Sequence, residues 1–165
     1  MLLPPSPTSN SSIQYRPEMT FPDVVISDRA ALLQRSSTNT ESIAHPLDKF
    51  IEWSLGREEL CFVPNDTKVQ PGVAFAHRVS GDTVWKAYPA GTGGIPKVEF
   101  VIRTLPPATR EELRKRLVSG IGALSGGGRG VFAVALAGLK REEQIRGAIT
   151  ALEWALEQME SRTAG

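Results

Sequence analysis

The scarcest reactive side chains in this chain are two histidines, His45 and His77, and one cysteine, Cys61. A tetrahedral zinc site needs four nitrogen, sulfur or oxygen ligands held close together, and these three residues stand at no paired-ligand spacing, so no metal site is expected. Cys61 lies in Leu60-Cys61-Phe62-Val63, which reads as a small buried side chain in an apolar strand. To act as a nucleophile its thiol would need a nearby cation or a helix N-terminus. His77 is the one histidine that a folded sheet could bring near it as a base. The carboxylates Asp66, Asp82 and Glu99, with Lys86, offer a second chemistry, since clustered acids with a lysine can hold magnesium and activate water. Against it, Glu99-Phe100-Val101 lacks a lysine two positions after the acid, and Asp82 falls in a predicted turn. Solvated surface charges are the expectation for these acids. A small hydrolase or metal-dependent nuclease built on Cys61, His77, Asp82 or Glu99 is thus the alternative reading.

The glycine-rich stretches do not hold phosphate in any familiar way. Gly91-Thr92-Gly93-Gly94 precedes a predicted strand, and the glycines of residues 126–130 follow a predicted helix. Neither run opens a helix whose N-terminus could meet an anion, and neither contains Gly-Lys-Ser or Gly-Lys-Thr. Structural loops are expected, with no cofactor.

Charge carries the main partner signal. The formal net charge is only +1, too small to demand nucleic acid or an acidic membrane. Between residues 76 and 116, however, eight basic residues (Arg78, Lys86, Lys97, Arg103, Arg110, Arg114, Lys115 and Arg116) face four acids, Asp82, Glu99, Glu111 and Glu112. Trp85 and Tyr88 lie among them. Basic groups interleaved with aromatics can follow a phosphate backbone while stacking bases. Trp85 alternates with Lys86 and should point to the opposite sheet face, into the core. The favoured reading is a non-catalytic binding or regulatory module that contacts nucleic acid or an acidic protein through Arg78, Lys86, Tyr88, Lys97, Arg103 and Arg114. Trp53 and Trp154, on the first and last helices of the expected domain, suggest a further contact: Trp154 lies off the apolar stripe and could anchor a homodimer through the C-terminal helix.

The elements that must position these residues follow from periodicity. At 165 residues, 41% hydrophobic and 22% charged, the chain suits one domain. Five of twelve prolines fall in the first 22 residues among Ser, Thr and Asn, so residues 1–44 are expected to be largely disordered. A docking segment is expected at 21–35, with Val24, Val25 and Ile26 as a short strand followed by one helical turn. The domain proper is expected over residues 45–162, with 163–165 frayed. It opens with a helix from Pro46 to Leu55, proline occupying its first position.

Residues 60–63, 73–79, 83–88 and 97–105 alternate with period two and read as a meander, with Ser80-Gly81-Asp82 as a hairpin turn. A helix follows, started by a Thr109/Glu112 capping box and striped by Leu113, Leu117 and Ile121. A flexible connector (residues 125–130), an apolar strand buried on both sides (131–136) and a long closing helix complete the domain. The predicted class is α+β: a mainly antiparallel sheet of about four to five strands against two or three helices. One cysteine suits a reducing, cytoplasmic setting. Residues 1–5 have no secretory pattern, and no apolar run approaches the roughly 20 residues of a membrane helix, so no membrane partner is expected.

Overall fold

The two-residue alternation in the middle of the chain builds one antiparallel sheet. The computed structural model describes residues 21–34, 40–63, 72–88, 96–101, 103–126 and 131–164. Of residues 1–44, expected to be largely disordered, 1–20 and 35–39 lie outside the described residues, as do Asp66 and the Gly91–Gly94 run, whereas 21–34 and 40–44 are helical. The elements are α1 (Phe21–Gln34), α2 (Thr40–Leu55), β1 (Leu60–Val63), β2 (Val73–His77), β3 (Thr83–Tyr88), β4 (Lys97–Val101), α3 (Pro107–Ile121), β5 (Ser125–Gly126), β6 (Val131–Ala135) and α4 (Glu142–Ala164). A short 3-10 turn, Leu136–Gly138, joins β6 to α4. The strand order is β1-β2-β3-β4-β6-β5, with every neighbouring pair antiparallel. This is the α+β class expected, with the two-residue β5 as an additional edge.

One sheet face is the core. The register sets Leu60, Phe62, Val73, Phe75, Trp85, Ala87, Val98, Phe100 and Phe132 on the same side, and all are buried. A slip of register beside Phe75 and Ala76 inserts an extra residue into β3. Such a bulge puts two successive residues opposite one, and Val84 and Trp85 are accordingly both buried. The rings of Phe62, Phe75, Trp85, Phe50 and Phe100 run in a continuous series with centroids 5.4–6.1 Å apart. Each such pair adds about 0.5–1.5 kcal/mol beyond area burial. Trp85 donates its indole N–H to Ser54 Oγ at 2.8 Å, and Ser54 donates to the Phe50 carbonyl at 2.8 Å, so the indole and the hydroxyl are both satisfied.

Helices α2 and α4 lie on this face. They run alongside each other, tied by His45 to Glu142, by Trp53 Nε1 to Glu153 at 3.2 Å and by Arg57 to Glu153 at 3.4 Å. Helix α3 packs on α4, where Gly120 and Gly147 meet: a Cβ on either would sit 2.8–2.9 Å from the other's Cα. Leu113, Leu117 and Ile121 of α3 are buried, as are Ile145, Ala148, Leu152 and Leu156 of α4.

Several sequence expectations give way to tertiary packing. Residues 21–34 form one helix rather than a strand and a turn, because Val25 and Leu32, two helical turns apart, are both buried. Helix α2 begins at Thr40, with Pro46 inside it. Burial of Ile43 beside Leu47 and Phe50 gives about 1.5–3 kcal/mol, comparable with the cost of an interior proline. The Thr109/Glu112 box is not used: α3 starts at Pro107 with Pro106 as N-cap and no side-chain cap. Its end is Gly122, at φ 112°, whose N–H bonds Val118 at 2.8 Å. Strand β6 is not buried on both sides, since Phe132 alone among its residues is buried. Its alternate positions are small residues on an uncovered face. Ser125 and Gly126, expected as connector, pair with β6.

Candidate functional site

The face opposite the core is where sequence-predicted binding residues come together. Strand alternation turns Lys86 and Tyr88 away from Trp85 and Ala87. Pairing then sets Val63, Ala74, Lys86, Glu99, Ala133 and Ser125 in one row across the sheet. Tyr88, Lys97 and Ala135 form the adjacent row. None of these nine is buried. The Lys86 ammonium lies 5.2 Å from the centroid of the Tyr88 ring, and that of Lys97 lies 6.0 Å away. Both are within the range of cation–π attraction, which holds the ring between two positive charges.

Lys97 also pairs with Glu99 at 3.5 Å; Glu99 is 17% exposed and Lys97 46%. The cluster therefore carries one net positive charge beside an aromatic ring. Alanines on either side, Ala74 on β2 and Ala133 and Ala135 on β6, leave the ring and the ammonium groups as the tallest features of this part of the sheet. An arrangement of this kind can stack a planar group on Tyr88 and neutralise an anion at Lys86 and Lys97. From sequence Glu99 was singled out only as a candidate metal or catalytic carboxylate, and the alanine floor not at all, although the period-two placing of Ala133 and Ala135 opposite Phe132 and Val134 was a visible signal.

The remaining predicted binding residues lie elsewhere. Arg78 follows β2 and donates to the carbonyls of Glu58 (3.0 Å) and Leu60 (2.9 Å), clamping the chain that enters β1. Arg103 is exposed in the turn after β4. Arg114, on α3, makes a forked bond to Glu111 at 2.8–3.2 Å, which holds the Glu111 carboxyl below its ordinary range. Trp154 is half-buried, and the Arg116 guanidinium lies 4.5 Å above its ring.

Cys61 and His77 do not form a pair. Leu60 is opposite His77 and Cys61 is opposite Ala76, so the thiol and the imidazole project from opposite faces. Cys61 is half-buried rather than buried, because its face of the sheet is the open one. His77, fully buried, hydrogen-bonds Ser80 Oγ through Nδ1 at 3.0 Å and Glu160 through Nε2 at 2.8 Å. Asp82 stands in the β2–β3 turn and Glu99 on the open face. Among the described residues, no three His, Cys, Asp or Glu side chains are grouped as a metal site would require. No helix among them is long and apolar enough to cross a membrane. No protein-family model, curated protein or solved structure matches the chain.

Proposed function

We propose that the chain is a binding module whose open sheet face receives single-stranded nucleic acid. A base stacks on Tyr88 while Lys86 and Lys97 neutralise adjacent phosphates. The observation that carries this reading is the Tyr88 ring flanked by two ammonium groups at 5.2 and 6.0 Å on the sheet face away from the helices. Stacking of one base on an aromatic ring contributes about 1–3 kcal/mol and tolerates any sequence. Two phosphate contacts on a single strand give a salt dependence of about −1.4 in log K against log salt. Association is therefore weak and sensitive to ionic strength. An acidic protein surface is the competing ligand, since it could use the lysines without needing the ring.

Fluorescence anisotropy with a labelled oligothymidine, titrated at low and at physiological salt, tests the reading. Tyr88→Ala should weaken binding about 5- to 150-fold, the equivalent of one lost stack. Lys86→Glu with Lys97→Glu should abolish the salt dependence. If the oligonucleotide does not associate at low salt, or if Tyr88→Ala binds as tightly as the parent, the nucleic-acid reading fails. Binding of a polyglutamate peptide that survives Tyr88→Ala but not the lysine changes would favour the acidic protein instead.

A further inference from the structure

A second group of residues, remote from the open face, has the connectivity of a nucleophile and its base. The β2–β3 turn is closed by the His77 N–H to the Asp82 carbonyl and the Gly81 N–H to the His77 carbonyl, both at 2.8 Å. Gly81 sits at φ 81°, a conformation that favours glycine. This turn presents Ser80 to solvent directly above the buried His77 ring. Ser80 Oγ accepts the Asp82 N–H at 3.2 Å, which directs its own hydrogen to His77 Nδ1 at 3.0 Å. The Ser80 N–H also points at Nδ1, at 3.3 Å. Nδ1 is therefore an acceptor, and the ring proton is on Nε2, donated to Glu160 at 2.8 Å. The carboxylate comes from α4, 83 residues along the chain.

Serine, imidazole and carboxylate are thus joined in the order that activates a hydroxyl. The two ring nitrogens are exchanged relative to the serine-protease arrangement, but each performs the same duty. A cleft of about 340 Å³ adjoins the serine, lined by Ser80, Asp82, Thr104, Met159 and Arg162. That volume suits a small ligand. Arg162 bonds the Thr104 carbonyl, which fixes a five-donor cation at the cleft.

We propose that Ser80, His77 and Glu160 form a hydrolytic centre for small acyl esters. Ser80 Oγ attacks the ester carbonyl carbon as its proton passes to His77 Nδ1, and the tetrahedral oxyanion faces Arg162. The carbon–alkoxide bond then breaks, and the alkoxide leaves with the proton from His77. Water replaces it: His77 takes a proton from the water, the hydroxide adds to the acyl carbon, and the carboxylic acid departs as Ser80 regains its hydrogen. Glu160 is a positioning residue that holds the ring tautomer and balances the imidazolium. Asp82, through its backbone N–H, orients the hydroxyl.

Incubation of the full chain with a fluorophosphonate, followed by peptide mass spectrometry, tests the assignment alongside hydrolysis of p-nitrophenyl acetate. Label is expected on Ser80 and not on exposed Ser125, with ester turnover that falls about 10²-fold or more in Ser80→Ala and in Glu160→Gln. Ser80 is at the surface, so Ser80→Ala keeps the fold and separates lost chemistry from lost structure. Circular dichroism of Glu160→Gln provides the same check for the carboxylate. Absence of label on Ser80, or turnover unchanged in Ser80→Ala, would overturn the proposal and leave the three residues as a tether between the turn and α4. Neither outcome bears on binding at Tyr88, because the two sites share no residue.

Discussion

Replacing Gly147 with alanine sets helix propensity against helix crossing. In an isolated helix this change stabilises by about 0.8–1.0 kcal/mol, because alanine loses less backbone freedom on folding. In the folded chain the added Cβ lies 2.8 Å from Gly120 Cα and 3.3 Å from its carbonyl carbon. Unstrained carbon contacts lie at about 3.5–4.0 Å. The neighbour is backbone and cannot rotate aside, so α3 and α4 must separate by most of an ångström, loosening Leu113, Leu117 and Ile121 against α4. Overpacking of that kind costs about 1–3 kcal/mol. With the propensity gain deducted, a net loss of up to about 2 kcal/mol is expected. Urea unfolding followed by circular dichroism measures it, and Gly56→Ala supplies the control. A Cβ at Gly56 would meet nothing closer than 3.6 Å, so that variant should match or exceed the parent. A Gly147→Ala protein more stable than the parent, keeping the propensity gain undiminished, would refute the argument that this crossing depends on two glycines.

Other outcomes follow from buried polar groups. Asp28 has a carboxylate oxygen that is buried without a hydrogen-bond partner, and burial raises its pKa from the ordinary 3.8 to about 6. A raised carboxyl favours the protonated folded state, so stability should fall as pH rises from about 4 to about 6 and stay reduced above that. Asp28→Asn should recover about 1 kcal/mol at neutral pH, after allowance for solvent screening, and should flatten the pH dependence of the urea midpoint over that window. Ser54→Ala removes the acceptor of the buried Trp85 indole N–H and should cost about 1–3 kcal/mol by urea unfolding. The cost should shrink in a Trp85→Phe background, where no donor remains to be orphaned.

How far the sequence reached can be judged from particular residues. Val98 and Phe100 alternating with Lys97 and Glu99 indicated a strand with one covered face, and the antisymmetry of Trp85 and Lys86 correctly assigned the tryptophan to the core. Leu113, Leu117 and Ile121 marked the buried stripe of α3. These succeed because side chains two apart on a strand, or three to four apart on a helix, share a face by covalent geometry alone. Local rules misled where distant packing was stronger: Pro46 looked like a helix start, and Val24-Val25-Ile26 looked like a strand.

The sequence by itself determined an α+β chain with an alternating central region and amphipathic helices around it. Only the tertiary structure decided that Tyr88 stands between Lys86 and Lys97, that Cys61 and His77 face opposite ways, that Gly120 meets Gly147 and that His77 reaches Glu160. Each depends on strand register, a bulge or a helix crossing. Those features are fixed by complementary surfaces brought together from far along the chain, and a one-residue slip of register would turn every strand side chain to the other face.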